Sequence, residues 1–173
     1  GQYLTACENI VAAGAGYADA FAIGARLHLS AYGMYGYALM CSPTMRDFFD
    51  FAVRYQPLAT PTVRLHWRVE GKVAIWQFRE IYRDMMSDEV RTFLVRQQMK
   101  MTFTHIRDAA GSDNLPVRAL FALTEDHHAA QDARELSCEC HYSQVANELH
   151  YPVGILESTP ELGNRLTRMM LEE

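Results

Sequence analysis

Hydrophobic residues recur with two different periods along this chain, and the change of period divides it. From Leu4 to about Ala13, Leu4, Cys7, Ile10 and Val11 fall at helical spacing, and Gly14 and Gly16 end the helix. A second short helix is predicted from Ala18 to Leu27, with Phe21, Ala22 and Ile23 inside it. The apolar, aromatic stretch LSAYGMYGYALMCSPT follows, from Leu29 to Thr44. It reads as a helix that opens at the capping residue Ser30 and ends at Ser42-Pro43-Thr44. Thr44 then caps a fourth helix, with Met45, Phe48, Phe49, Ala52 and Val53 on its apolar side. Pro57 and Pro61 bracket a connector that cannot continue it. Gly33 and Gly36 each cost about 1 kcal/mol against alanine inside a helix. A close approach by another backbone or by a ligand would offset that cost. A tightly packed core helix without ligand is the plainer alternative.

After Pro61 the period becomes two. Thr62 to Val69 alternates Val63, Leu65, Trp67 and Val69 with Arg64, His66 and Arg68, which predicts a strand. Glu70-Gly71 reads as a turn and Lys72 to Phe78 as the returning strand. A two-residue loop at Glu70-Gly71 would force φ > 0 on Glu70, so a three-residue loop with Gly71 left-handed is expected. That register sets Arg68 opposite Lys72, His66 opposite Ala74 and Arg64 opposite Trp76. One face would then carry Val63, Leu65, Trp67, Val73 and Ile75. The other would carry Arg64, His66, Arg68, Lys72, Ala74, Trp76 and Phe78, either as a half-solvated sheet face or as the lining of a cavity.

Ser87 to about Ala110 is the longest predicted helix. Ser87 caps it, Asp88 and Glu89 suit its positive end, and Gly111 stops it. Val90, Phe93, Leu94, Gln97, Met101 and His105 lie near one stripe. A short apolar strand is expected at Arg118–Thr124 and a short helix at His127–Leu136. Between Cys140 and Leu149, Asn147 reads as a turn residue. A last strand at Leu149–Tyr151 is broken by Pro152. A final helix from Thr159-Pro160 through Met169, Met170 and Leu171 ends in mid-pattern. The fold class that results is α+β: an N-terminal helical bundle packed on a small antiparallel sheet with a long helix. One domain over residues 1–173 is expected, with a helical part at 1–56 and a sheet-bearing part at 62–173.

Composition narrows the function classes. The chain has 173 residues, a net charge of -5, a pI near 5.8 and 49% apolar residues. It can therefore bury a real core, and its scattered Lys and Arg leave no nucleic-acid footprint. No apolar run approaches the roughly 18 to 20 residues that span a membrane. Cys7, Cys41, Cys138 and Cys140 do not form a disulfide framework, and a reducing cytoplasm fits them. Cys138, Cys140 and His141, with His127 and His128 upstream, are metal-ligand types at a spacing unlike a zinc site. There is no nucleophile elbow, phosphate loop or dinucleotide fingerprint. Asp47, Asp50 and Glu125-Asp126 read as caps or solvated faces. No enzyme, cofactor or metal is called for, and a small metal sensor or enzyme around these Cys and His residues is the weakest rival.

One set of blocks does point to a family. LHLSAYGMYGYALMCSPTMRDFFDFAVRY resembles the N-terminal effector domain of the arabinose-binding-like branch of AraC-type transcription regulators. The hairpin VRLHWRVEGKVAIWQF and the late block LSCECHYSQVANELHYPVGILESTP resemble the family's following elements. The likeness runs from about Leu4 to Leu171. Met34, Tyr35 and Met40 stand where smaller aliphatic residues are common, so a cavity here would have its own shape. Ser137 stands for a glycine, Glu139 for a proline and Tyr142 for a phenylalanine.

The resemblance implies an effector-sensing and dimerisation domain of a bacterial, cytoplasmic transcription regulator. Its partners would be a small-molecule effector of unknown identity and a second copy of the chain, with no membrane. DNA would be reached only through a C-terminal pair of helix-turn-helix units, which would follow Glu173. The candidate ligand-binding residues are Tyr32, Tyr35, Phe48, Arg64, His66, Trp67 and Trp76. Arg64 would pair with a ligand carboxylate or phosphate and Trp76 would offer a stacking face. The rival reading is a ligand-free dimerisation or interaction module, its cavity plugged by Met34, Tyr35 and Met40. The long helix from Ser87 and the terminal helix at Leu166, Met169 and Met170 are the candidate dimer surfaces.

Overall fold

The computed structural model describes residues 2–59, 62–163 and 170. Six α-helices and a five-stranded sheet form an α+β fold among these residues. α1 (Gln2–Ala12), α2 (Tyr17–Arg26), α3 (Gly33–Met40) and α4 (Met45–Tyr55) supply the helical first third. β1 (Val63–Glu70) and β2 (Val73–Glu80) form the hairpin, followed by the long α5 (Asp88–Ala110). β3 (Arg118–Leu120), α6 (Ala129–Leu136), β4 (Glu139–His141) and β5 (Asn147–Pro152) complete the order. The strands lie in the order β1-β2-β5-β3-β4. All neighbours are antiparallel except β3 and β4, so the sheet is mixed and not purely antiparallel.

The expected caps form. Thr44 accepts a hydrogen bond from the Asp47 amide, and Ser87 accepts one from the Val90 amide. The segment after Leu27 departs from the expected single helix. Leu29–Tyr32 is a 3-10 turn, and Gly33, the first residue of α3, takes φ 54° and ψ -131°. That combination is open essentially to glycine alone, so Gly33 makes a corner there. Gly36 has the other role: a Cβ on it would lie 1.7 Å from the Leu29 carbonyl oxygen. The close approach is therefore by the chain's own preceding turn.

The hairpin register differs from the expected one. The loop is Gly71-Lys72, with Glu70 paired to Val73 and Trp67 paired to Trp76. Gly71 does have positive φ, at 57°, and as the first residue of a two-residue loop it spares Glu70 that strain. Three positions of register is an odd shift, so every β2 side chain changes face relative to β1. Leu65, Trp67, Trp76 and Phe78 share the inner face, continued by Leu149 and Tyr151 on β5. Arg64, His66, Arg68, Gln77 and Arg79 share the outer face. The arrangement of Arg64 and His66 beside Trp76 and Phe78 does not occur.

α4 and α5 cover the inner face, and α2 packs on the far side of α5. α5 is thus sandwiched, with 14 of its 23 residues buried. A helix enclosed by its own chain is not a free dimer surface, which removes one of the two surfaces expected from sequence. The terminal helix falls mostly outside the described residues. Within them, 159–163 forms a turn closed by the Gly163 amide on the Pro160 carbonyl, not a helix start. Asn147 is likewise no turn residue. It opens β5 fully buried, accepting from the Ala122 amide and donating to Glu80.

Candidate functional site

Four of the seven candidate residues converge. Tyr32, Tyr35, Phe48 and Trp76 line one internal void between α3, α4, the inner sheet face and α5. The void holds about 20 Å³, room for roughly one water. Phe49 wedges beside it, its ring edge-on to Trp76 at 4.7 Å and to Trp67 at 5.6 Å. α4 brings these rings to the sheet because its apolar positions at Met45, Phe48, Phe49 and Ala52 recur at helical spacing.

The other three candidates lie elsewhere. Trp67 is half-buried at the rim, where its indole N–H donates to Asp50 at 2.9 Å and Arg46 stacks over its ring. Arg64 and His66 are exposed on the outer face, Arg64 directly opposite Arg79. His66 lines an open cleft with Gln77, Arg79 and Arg83. Arg64 therefore shares no cavity with Trp76, a direct consequence of the register.

α5 supplies the polar part of the void, which sequence reasoning largely missed. Gln98, Thr102 and His105 line it, together with Met101. His105 Nε2 donates to the Leu27 carbonyl at 2.7 Å, and its ring meets the edge of Tyr32. Burial pushes the His105 pKa down to about 4, against the opposing effects of the Leu27 carbonyl and Asp108. The imidazole is therefore neutral at pH 7. Gln98 donates to Thr102 at a long 3.5 Å. The Trp76 indole N–H, by contrast, is buried without a hydrogen-bond partner. The i, i+4, i+7 spacing of Gln98, Thr102 and His105 was readable as one helical stripe; that it faced a void was not.

Tyr32 and Tyr35 also wall a second space. An outer groove of about 380 Å³ runs between α3 and α4, bounded additionally by Met34, Phe51, Tyr55 and Leu58. The Tyr32 hydroxyl donates to Met101 Sδ at 2.9 Å, and the Tyr35 hydroxyl to the Ala52 carbonyl at 3.4 Å. Burial raises the Tyr35 phenol above its ordinary pKa, so it stays protonated. Of the three residues expected to plug a cavity, only Tyr35 lines the void. Met40 packs partly buried against the core, and Met34 is 65% exposed.

A further buried polar cluster lies on the opposite face of α5, around Arg96. Arg96 is 2% exposed and bonds Asp132 through two nitrogens and Asp126 through one, all at 3.0 Å. Tyr142 donates to Asp132 at 2.7 Å. Burial by itself would raise the Asp126 carboxyl, but the His128 amide and Arg96 hold it below its usual range. Glu125-Asp126 is thus not merely a solvated pair. The His127 and His128 rings meet at a tilt of 40°, and His128 stacks on Tyr17. Among the described residues no group of three or more His, Cys, Asp or Glu is placed to hold a metal ion. No helix among them is long and apolar enough to cross a membrane.

Comparison with known proteins places this architecture. Comparison with curated protein sequences finds no significant match. Among solved structures the chain is similar to the transcriptional regulator CdpR from Pseudomonas aeruginosa, with a TM-score of 0.81 and 15% sequence identity. The superposition covers 95% of this chain and 52% of that one, so the chain spans about half the length of this relative. At that identity the likeness establishes the fold. The family model for the arabinose-binding domain of AraC transcription regulators, N-terminal, matches residues 1–159. With that match over most of its length, the chain belongs to the family of N-terminal arabinose-binding domains of AraC-type transcription regulators.

Proposed function

We propose that this regulatory domain senses a small-molecule effector at the void enclosed by Tyr32, Tyr35, Phe48 and Trp76. The supporting observation is the convergence there of aromatic rings with Gln98, Thr102 and neutral His105. An effector acts only through the difference in its affinity for two arrangements of the protein. Here the two arrangements would differ in how α3 and α4 sit on α5. Pairing of two copies would carry that difference to DNA-binding units outside this chain, in a cytoplasmic regulator. A thermal-shift screen of small metabolites tests this reading. An effector at 100 times its Kd adds about 2.7 kcal/mol of stability, which Tyr35→Ala or Trp76→Phe should change. Failure of every compound to stabilise the protein would overturn it. Sedimentation that finds only monomer at high concentration would overturn the pairing.

The rival is a ligand-free interaction module, and the small size of the void, about 20 Å³, favours it. It expects dimers, no stabilising compound and no change of pairing with any metabolite.

A further inference from the structure

The void has a chemical character that the charged outer sheet face lacks. Among the described residues its lining contains no Asp, Glu, Lys or Arg. Its polar groups are amides, hydroxyls, a neutral imidazole and the indole N–H of Trp76. That N–H is 2% exposed as a residue and has no acceptor. A buried donor left unpaired costs about 1–3 kcal/mol. An acceptor brought by a guest would remove that cost. A carboxylate or ammonium would instead lose its hydration with no opposite charge to meet it.

The way in is also visible. Tyr32, Tyr35 and Ala59 are shared by the void and the outer groove, so the two spaces are separated by these side chains. Neither hydroxyl is firmly held. The Tyr35 hydroxyl has a 3.4 Å bond at the long limit, and Tyr32 donates to a thioether, a weak acceptor. Rotation of Tyr35 toward solvent would join the void to a groove of about 380 Å³, which is small-molecule size.

On the reading of this domain as an effector sensor, we infer that the void and groove form one site for an uncharged, flat, apolar molecule. That molecule carries a hydrogen-bond acceptor for the Trp76 N–H and enters by displacing Tyr35. The inference sets aside an anionic effector held by Arg64, which lies on the opposite face of the sheet.

The test uses three probes of similar size: acetophenone, neutral with a carbonyl acceptor; ethylbenzene, neutral without one; and benzoate, an anion. The chain has two tryptophans, so 15N-tryptophan labelling gives two indole resonances, and Trp67→Phe assigns them. Acetophenone should move the Trp76 N–H downfield and raise Tm. Ethylbenzene should raise Tm without the downfield move, and benzoate should do neither. Tyr35→Ala, checked for folding by its amide spectrum, should bind acetophenone about tenfold more tightly, because a closed gate no longer competes. Tyr35→Phe, which keeps the ring and loses only the Ala52 bond, should shift binding the same way to a smaller extent. Benzoate moving the Trp76 resonance as far as acetophenone would overturn the inference. So would saturating acetophenone that leaves the resonance still in the wild-type protein and both Tyr35 variants. A different compound that stabilises the protein while Trp76 stays still would sink this site and leave the effector-sensor reading standing.

Discussion

α5 carries two buried polar clusters along its length, and they are built on opposite rules. At Arg96 full charges are buried, and each is met: two carboxylates take the guanidinium, and Tyr142 completes Asp132. At Gln98, Thr102 and His105 nothing is charged, one bond is long, and the neighbouring Trp76 N–H is unmet beside a small void. Buried ions must be satisfied, because an unpaired one is too costly for the fold to keep. Neutral groups can be left partly unsatisfied at a cost of a few kcal/mol, and that residue of unmet bonding is what a ligand can use. The charged cluster reads as a fixed joint between α5 and α6, and the neutral one as a place with something left to bind.

Breaking the joint should have the largest effect. Asp132→Ala leaves the buried Arg96 with only Asp126 and should destabilise by about 3 kcal/mol, read by urea denaturation. If the loss is under about 1 kcal/mol, the two clusters are not different in kind.

The neutral cluster should show itself through pH. His105 has its pKa lowered in the folded state, so the unfolded chain binds more protons between pH 6.5 and about 4. Stability from this group is complete above the unfolded value and is lost as pH falls through that window, on the order of 3 kcal/mol. His28 and Asp108 lie beside His105 and bias its titration in opposite directions. His105→Gln should flatten the acid limb of a stability profile measured from pH 7 to 4. An unchanged limb would mean that His105 is not held neutral.

Trp76→Phe should cost less than a buried tryptophan normally does, under about 1.5 kcal/mol. The lost contact area is partly offset by removal of an unpaired donor. A loss near 4 kcal/mol would show that the N–H is satisfied after all. The smallest effect is expected at the end of α6. Ser137 takes φ 54°, a left-handed conformation that suits the glycine of the family pattern. Ser137→Gly should stabilise the protein by about 0.5 kcal/mol, seen as a small rise in Tm.

Much of the architecture was legible because it rests on local chemistry. The helices at Met45–Tyr55 and Asp88–Ala110 follow from apolar spacing and from the caps Thr44 and Ser87. The hairpin follows from alternation on either side of Gly71. Tyr32, Tyr35, Phe48 and Trp76, four of the seven candidates, line one void because aromatic residues at apolar positions must be buried somewhere. The site was misread where the answer depended on register. Placing a three-residue loop at Val69–Gly71, ahead of the observed Gly71-Lys72 loop, put Arg64 and Trp76 together, although no local rule was broken by doing so. Arg96 was missed for a related reason. Within α5 an arginine reads as solvent-facing until Asp126 and Asp132 are known to be within reach.

The sequence by itself determined the α+β class, the helix caps, the hairpin, the aromatic set near α3 and the family to which the chain belongs. Each depends on residues close together in the chain or on a contiguous motif. Tertiary structure alone decided which face of the sheet each side chain takes, that α5 is enclosed on both sides, and that Arg96 is buried. It also decided that Gln98, Thr102 and His105 come to Trp76. Those facts depend on pairings between residues tens of positions apart, whose energies are set by burial and by partner geometry that no local pattern records.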